Sequence, residues 1–177
     1  MRSMYKAPHE GLYFITSSIV EWISVFTSEK YFKIITDSLS YCQINKQLKI
    51  FAYVILDNHF HLITYSDSLP EVMKSFKRYT AQKILYCLQE DNKNWLLNQF
   101  QFYKLQHKTE SEHQVWQEGY HPQIISTDYM FQQKADYIHM NPVKRGLVDE
   151  PEHWRFSSAR YYIKQMKCDI EIDDLKW

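Results

Sequence analysis

The order of apolar patterns along this chain predicts an α+β domain, an antiparallel sheet with helices on one face. Three observations carry that expectation. Short runs rich in β-branched and aromatic residues alternate with helical-period segments in the order β-α-β-β-α-(β)-α. No repeat, low-complexity tract or Pro/Gly-rich linker divides the 177 residues, and only three glycines interrupt them. Hydrophobic residues make up 45% of the chain and charged residues 24%, the balance of a chain that buries a core. A single domain over residues 1–177 follows, with 146–177 as a C-terminal extension packed on it.

Each element has its own signal. Gly11 to Ile19 is aromatic and β-branched and reads as a first strand. From Ser28 to Cys42, apolar residues at Tyr31, Phe32, Ile34, Ile35, Leu39 and Cys42 keep a helical period. Leu48 to Leu56 is a second strand, Asp57-Asn58 a tight turn, and His59 to Tyr65 a third strand completing a hairpin. Ser68-Leu69-Pro70-Glu71 has capping-box spacing with proline just inside the helix start. That helix runs to about Leu88, with Val72, Met73, Phe76, Thr80 and Ile84 or Leu88 inward and Lys74, Lys77, Arg78 and Gln82 on another face. A helix over Trp95 to Leu105, a loop over His107 to His113 and a short strand over Gln123 to Ser126 follow. Thr127 or Asp128 caps a last helix, which Pro142 is expected to end. Trp154, Phe156 and Tyr161 are expected to dock the tail onto the core. This order is that of a ferredoxin-like α+β sandwich, its second sheet face open for a ligand.

Composition narrows the classes. Net formal charge is zero, which argues against duplex binding through a general basic field and leaves a local basic groove open. Three cysteines with no CxxC pair read as reduced thiols, neither a disulfide scaffold nor a zinc ribbon. The N-terminus has no signal-peptide pattern and no apolar run reaches the ~20 residues of a membrane span. The expectation is a cytoplasmic protein with no membrane partner.

The most informative residues are His59-Phe60-His61, at the end of the apolar hairpin. Residues i and i+2 of a strand share a face, so the two imidazoles can close on one metal ion while Phe60 turns into the core. On the pair alone, a metal site and two core histidines are equally open. A second constellation lies in the last helix. Phe131, Ala135 and Ile138 form its inward stripe, and Gln133, Tyr137 and Asn141 a separate polar one.

His59-Phe60-His61 followed by the run from Asp136 through Tyr137, Asn141 and Pro142 to Gly146 resembles the single-tyrosine HUH transposases. Within them it is most similar to the REP-associated tyrosine transposases (RAYT), with Trp116-Gln117 upstream and Trp154-Arg155-Phe156-Ser157-Ser158 downstream as supporting marks. The resemblance runs from about Gly11 to Tyr162. It implies an RRM-like sheet with the histidine pair on a central strand and the tyrosine on a helix laid across it. It also implies cleavage and rejoining of single-stranded DNA beside hairpins, through a covalent 5′-phosphotyrosine, with Mg²⁺ or Mn²⁺. Carried over, His59 and His61 are metal ligands, Asn141 is the third ligand and Tyr137 is the nucleophile. Insertion-sequence members are intertwined dimers and the RAYT branch looks monomeric, so a monomer is the expectation and a dimer the alternative.

The residue types suit that chemistry. Two imidazoles and an amide leave a divalent cation its full charge, against which an anionic phosphodiester can be cut. A phenol is a poor nucleophile until deprotonated or polarised, and its phosphodiester keeps the energy needed for rejoining. Lys74, Lys77, Arg78, Lys144 and Arg145 are the expected phosphate contacts, with Arg2, Tyr5 and Lys6 as a short N-terminal arm. His139 falls off the tyrosine's face and reads as a packing residue, and Asp57 and Asn58 read as turn formers. The alternative function is a catalytically inactive structured-DNA or RNA-binding module of the same fold. A third, a metallohydrolase using water, would need Asp57 or Asp136 as its base.

Overall fold

The computed structural model describes residues 11–107, 109 and 111–174. The proposed arm of Arg2, Tyr5 and Lys6 lies outside them. Strands β1 (Leu12–Ser18), β2 (Lys49–Ile55), β3 (His59–Tyr65) and the two-residue β4 (Gln123–Ile124) form one antiparallel sheet in the order β2-β3-β1-β4. Helix α1 (Glu29–Lys46) joins β1 to β2, while α2 (Leu69–Glu90) and α3 (Asn94–Phe102) lead from β3 toward β4. Helix α4 (Asp128–Lys144) follows β4, and α5 (Ala159–Lys164) lies in the C-terminal segment. The α+β class and the order of elements are those expected. No helix among the described residues is long and apolar enough to cross a membrane.

Strand alternation sorts the sheet into two faces. Ile15 of the first strand and Ile19 just after it, Ile50, Tyr53 and Ile55 of the second, and Phe60 and Leu62 of β3 pack with α1 and α2 in the larger core. There Phe60, Phe76 and Trp116 meet ring to ring, and the Trp116 indole N–H donates to the buried Thr80 hydroxyl at 3.0 Å. The opposite residues, Leu12, Phe14, Ala52, Val54 and Ile63, pack against Phe131, Ala135 and Ile138 of α4. A register shift between Ile50 and Ala52 keeps both residues on their proper faces.

The second face is therefore not open, a correction to the expected one-sided cover. Helix α4 crosses it, because its apolar stripe at i, i+4 and i+7 matches a half-apolar strand surface. The same helix corrects the role of Pro142, which lies buried inside it instead of ending it. Proline removes one helical N–H, but the chain continues to Gly146, whose φ of 68° suits a residue without a Cβ. There Gly146 N–H reaches the Val143 carbonyl and Leu147 N–H the Pro142 carbonyl, both at 2.9 Å, closing a Schellman end. Asn141 is consequently helical and in line with Tyr137. The helix starts where expected, with Thr127 accepting from the Met130 N–H at 3.1 Å. At the start of α2 the Ser68 side chain makes no cap bond, since its φ of −126° and ψ of 41° lie outside the extended geometry a cap requires.

The C-terminal segment covers the edge of β2. Ile55 and Ser158 N–H groups donate to the Phe156 and Tyr53 carbonyls, and the Asp173 N–H to that of Ile50. Phe156 stacks on Phe32 with ring centroids 3.9 Å apart, and the Trp154 indole donates to the Ile55 carbonyl. An edge strand covered in this way offers few free main-chain groups to a second sheet.

Candidate active site

The α4 face of β3 carries His59 and His61, with ring centroids 4.9 Å apart. Cross-strand register sets Thr16 and Val54 beside His61, and Ser18 beside His59. The Thr16 hydroxyl lies 2.7 Å from His61 Nδ1, and the Phe14 ring stacks on the imidazole at 5.4 Å. Asn58 holds the other histidine. Its amide nitrogen donates to the Trp22 carbonyl at 2.8 Å, which turns its oxygen toward His59 Nδ1 at 2.6 Å.

This wiring decides the tautomer. An amide oxygen only accepts, so His59 carries its proton on Nδ1 and leaves the lone pair on Nε2. His61 Nδ1 faces the Thr16 hydroxyl, which is able to accept from it, and the buried Nε2 of His61 has no hydrogen-bond partner among the described residues. Both rings are held neutral. Burial, with the Arg145 charge adding to it, pushes His59 down to about 4. Burial, with the charges of His59 and Lys134, pushes His61 down to about 3. Two neutral imidazoles, fixed through Nδ1 and free at Nε2, form the usual arrangement of metal-binding histidines and their outer partners.

Tyr137 stands over this pair from α4, its ring 5.2 Å from that of His61 and its side chain part-exposed. One and two turns on, at i+4 and i+8, come Asn141 and Arg145. The Arg145 guanidinium pairs with Asp57 at 2.8 Å, at the hairpin turn before His59. The stripe is thus anchored at His61 by Tyr137 and at Asp57 by Arg145, with Asn141 buried on the helix between them. Among the described residues no group of three or more His, Cys, Asp or Glu side chains comes together. A cation here would be held by His59, His61 and the Asn141 amide oxygen, and the orphaned Nε2 fits that role.

Other residues sort less simply. Lys144 reaches over the Tyr137 ring, and Lys134 lies 4.5 Å above the Phe14 ring. The structure does not bring Lys74, Lys77 and Arg78 to the histidines. Helix α2 packs on the opposite sheet face, and the Lys77 ammonium is bonded to the Gln117 and Gly119 carbonyls. The helical wheel separated these cations from the core but could not say which sheet face their helix would take. Asp57 and Asn58 do form the turn, and they also do more than the sequence reading gave them: one anchors α4, the other orients His59. His139 points away from Tyr137 and bonds Ser158 at 2.8 Å, docking the C-terminal segment; burial lowers it to about 4. Phe14, Thr16, Trp22 and Lys134 were missed, since nothing in one sequence gives the cross-strand register that gathers the first two.

The fold sets the His-Phe-His pair of β3 beneath a tyrosine borne on α4. No protein-family model matches the chain. A curated Haemophilus influenzae protein assigned by name to the REP-associated tyrosine transposases is 29% identical over 123 residues, covering 70% of this chain. The chain spans 64% of that relative's length. A solved structure of a REP-associated tyrosine transposase bound to a REP hairpin has the same fold, with a TM-score of 0.61 at 19% identity. It covers 97% of this chain and 90% of its own. The chain is REP-associated tyrosine transposase-like, by sequence likeness and by fold.

Proposed function

We propose that this chain cuts and rejoins single-stranded DNA beside hairpins, with Tyr137 as nucleophile. The observation that carries the reading is the buried, unpartnered Nε2 of His61, 4.9 Å ring to ring from a second imidazole and 5.2 Å from the Tyr137 ring. His59, His61 and Asn141 would hold Mg²⁺ or Mn²⁺, which when bound supplies positive charge against the phosphate and the leaving oxygen. The phenol of Tyr137 gives up its proton and forms a bond to phosphorus. The bond from phosphorus to the 3′ oxygen breaks, and that oxygen leaves as a 3′-hydroxyl. The 5′ end stays on the tyrosine. Rejoining reverses this: a 3′-hydroxyl attacks phosphorus and the tyrosine oxygen departs with a proton. Partial exposure of Tyr137 supports a role toward an outside strand, and Lys134 and Lys144 provide cations on either side of it.

The two carboxylates that a water-using hydrolase would need are otherwise engaged. Asp57 binds Ser24 and Arg145, and Asp136 accepts from Gln132 at 2.9 Å. The test is incubation with end-labelled hairpin oligonucleotides drawn from DNA beside the gene, with Mn²⁺ or Mg²⁺, resolved on a denaturing protein gel. A metal-dependent DNA–protein adduct that disappears in Tyr137→Phe is expected. Tight binding with no adduct would mean a binding module, and cleavage surviving Tyr137→Phe would mean a water nucleophile.

A further inference from the structure

We propose that Trp22 is a stacking platform for a nucleobase next to the phosphate at the histidine pair, an inference that rests on the single-stranded DNA reading above. Four rings run in a row across this face. Trp22 meets His59 at 5.3 Å, His59 meets His61 at 4.9 Å, and His61 meets Tyr137 at 5.2 Å. The middle two are buried. The outer two are open, Trp22 with 54% of its surface exposed and Tyr137 with 42%. An indole left this open beside polar, buried rings has no packing role that accounts for its position.

The backbone beneath it is built at a cost. Glu21 and Trp22 both adopt left-handed conformations, with φ of 50° and 54°, which non-glycine residues with bulky side chains avoid. Main-chain bonds hold them there: Val20 N–H to the Val115 carbonyl, Trp22 N–H to that of Ile19, and Ile23 N–H to that of Val20. Such consecutive strained residues persist only where surrounding structure fixes them, and they cluster at functional sites. Here the strain does two things at once. It aims the Trp22 carbonyl at Asn58, which orients His59, and it turns the indole outward at the rim. The exposed Glu21 carboxylate would repel a phosphate, so this turn suits a base and not the backbone. Every base has a π-face, and an exposed aromatic accepts one with little regard to sequence.

The experiment measures binding of a fluorescein-labelled hairpin oligonucleotide with single-stranded flanks, in a Tyr137→Phe background so that no strand is cut. A companion set removes one flanking base at a time as an abasic site. Trp22→Ala is expected to weaken binding about tenfold, while Trp22→Phe stays within about threefold. One abasic position is expected to cost the same with Trp22 present and nothing further once it is Ala. Trp22→Leu, which keeps apolar bulk against His59, is expected to behave like Ala and guards against a folding defect. Undiminished binding by Trp22→Ala and Trp22→Leu, or an equal loss at every abasic position, would overturn the proposal. Failure of the Trp22-containing protein to bind any hairpin would overturn the DNA reading itself, and this inference with it.

Discussion

The two faces of one sheet are built from the same strands by opposite rules. On the α1/α2 face, Phe60 and Leu62 of β3 are fully buried among rings and aliphatics, where the Trp116 indole bonds Thr80 and the Ser17 and Tyr53 hydroxyls have no partner among the described residues. On the α4 face the side chains of the same strand are two imidazoles, nearly as buried, and His61 Nε2 has no partner among the described residues. A buried polar atom with no partner costs about 1–3 kcal/mol, and on the α4 face that cost falls on a ring nitrogen able to bind a cation. The difference teaches where to look: consecutive residues of β3 alternate between holding the fold and holding open a site. Helix α4 repeats the lesson, with Phe131, Ala135 and Ile138 packed down and Tyr137 standing over the histidines.

The largest effect that could break this contrast is on stability. Phe60→Ala is expected to cost about 3–5 kcal/mol in urea unfolding, as a cavity in a ring-packed core does. His61→Ala is expected to cost about 1–2 kcal/mol, because it removes an unsatisfied nitrogen along with the Phe14 stacking. Equal losses would mean that the two faces are one ordinary core. A smaller effect sharpens the role of the hairpin turn. Asn58→Ala frees His59 to rotate and is expected to weaken Mn²⁺ binding 10- to 100-fold, with little change in melting temperature.

Acid gives a third, graded effect. His59, His61 and His139 titrate at about 4, 3 and 4 in the folded protein, below the ordinary 6.5 of an unfolded chain. The unfolded state therefore binds more protons between those values, and stability rises with pH. The contribution is complete above about pH 6.5 and is lost as pH falls toward 4. Each histidine adds at most about 1.4 kcal/mol per pH unit to the slope. His139→Gln is expected to remove one such increment from unfolding free energies measured at pH 6.5, 5.5 and 4.5. An unchanged slope would place His139 in solvent, away from Ser158.

Much of the fold was legible in local pattern, and much of the site was not. β3 has the bounds its alternation implied, and the inward stripes of α2 and α4 are buried as their spacing required. These are properties of single elements. The placement of α4 on the second face, and of Lys74, Lys77 and Arg78 on the far one, depends on how elements pack, which no periodicity encodes. Pro142 misled because local sterics favour a helix end there, while burial of Pro142 and the Gly146 end carry the helix past it. Trp22 was silent for a related reason: left-handed residues without glycine leave no mark in sequence.

The central claim is that the α4 face holds a divalent cation through His61 Nε2. Titration of the protein with Mn²⁺, followed by loss of the free-ion electron paramagnetic resonance signal, tests it most directly. One site per chain is expected, weakened at least tenfold in His61→Ala and unaffected in Tyr137→Phe. Binding of equal strength in His61→Ala, or no binding by the parent protein, would contradict the account.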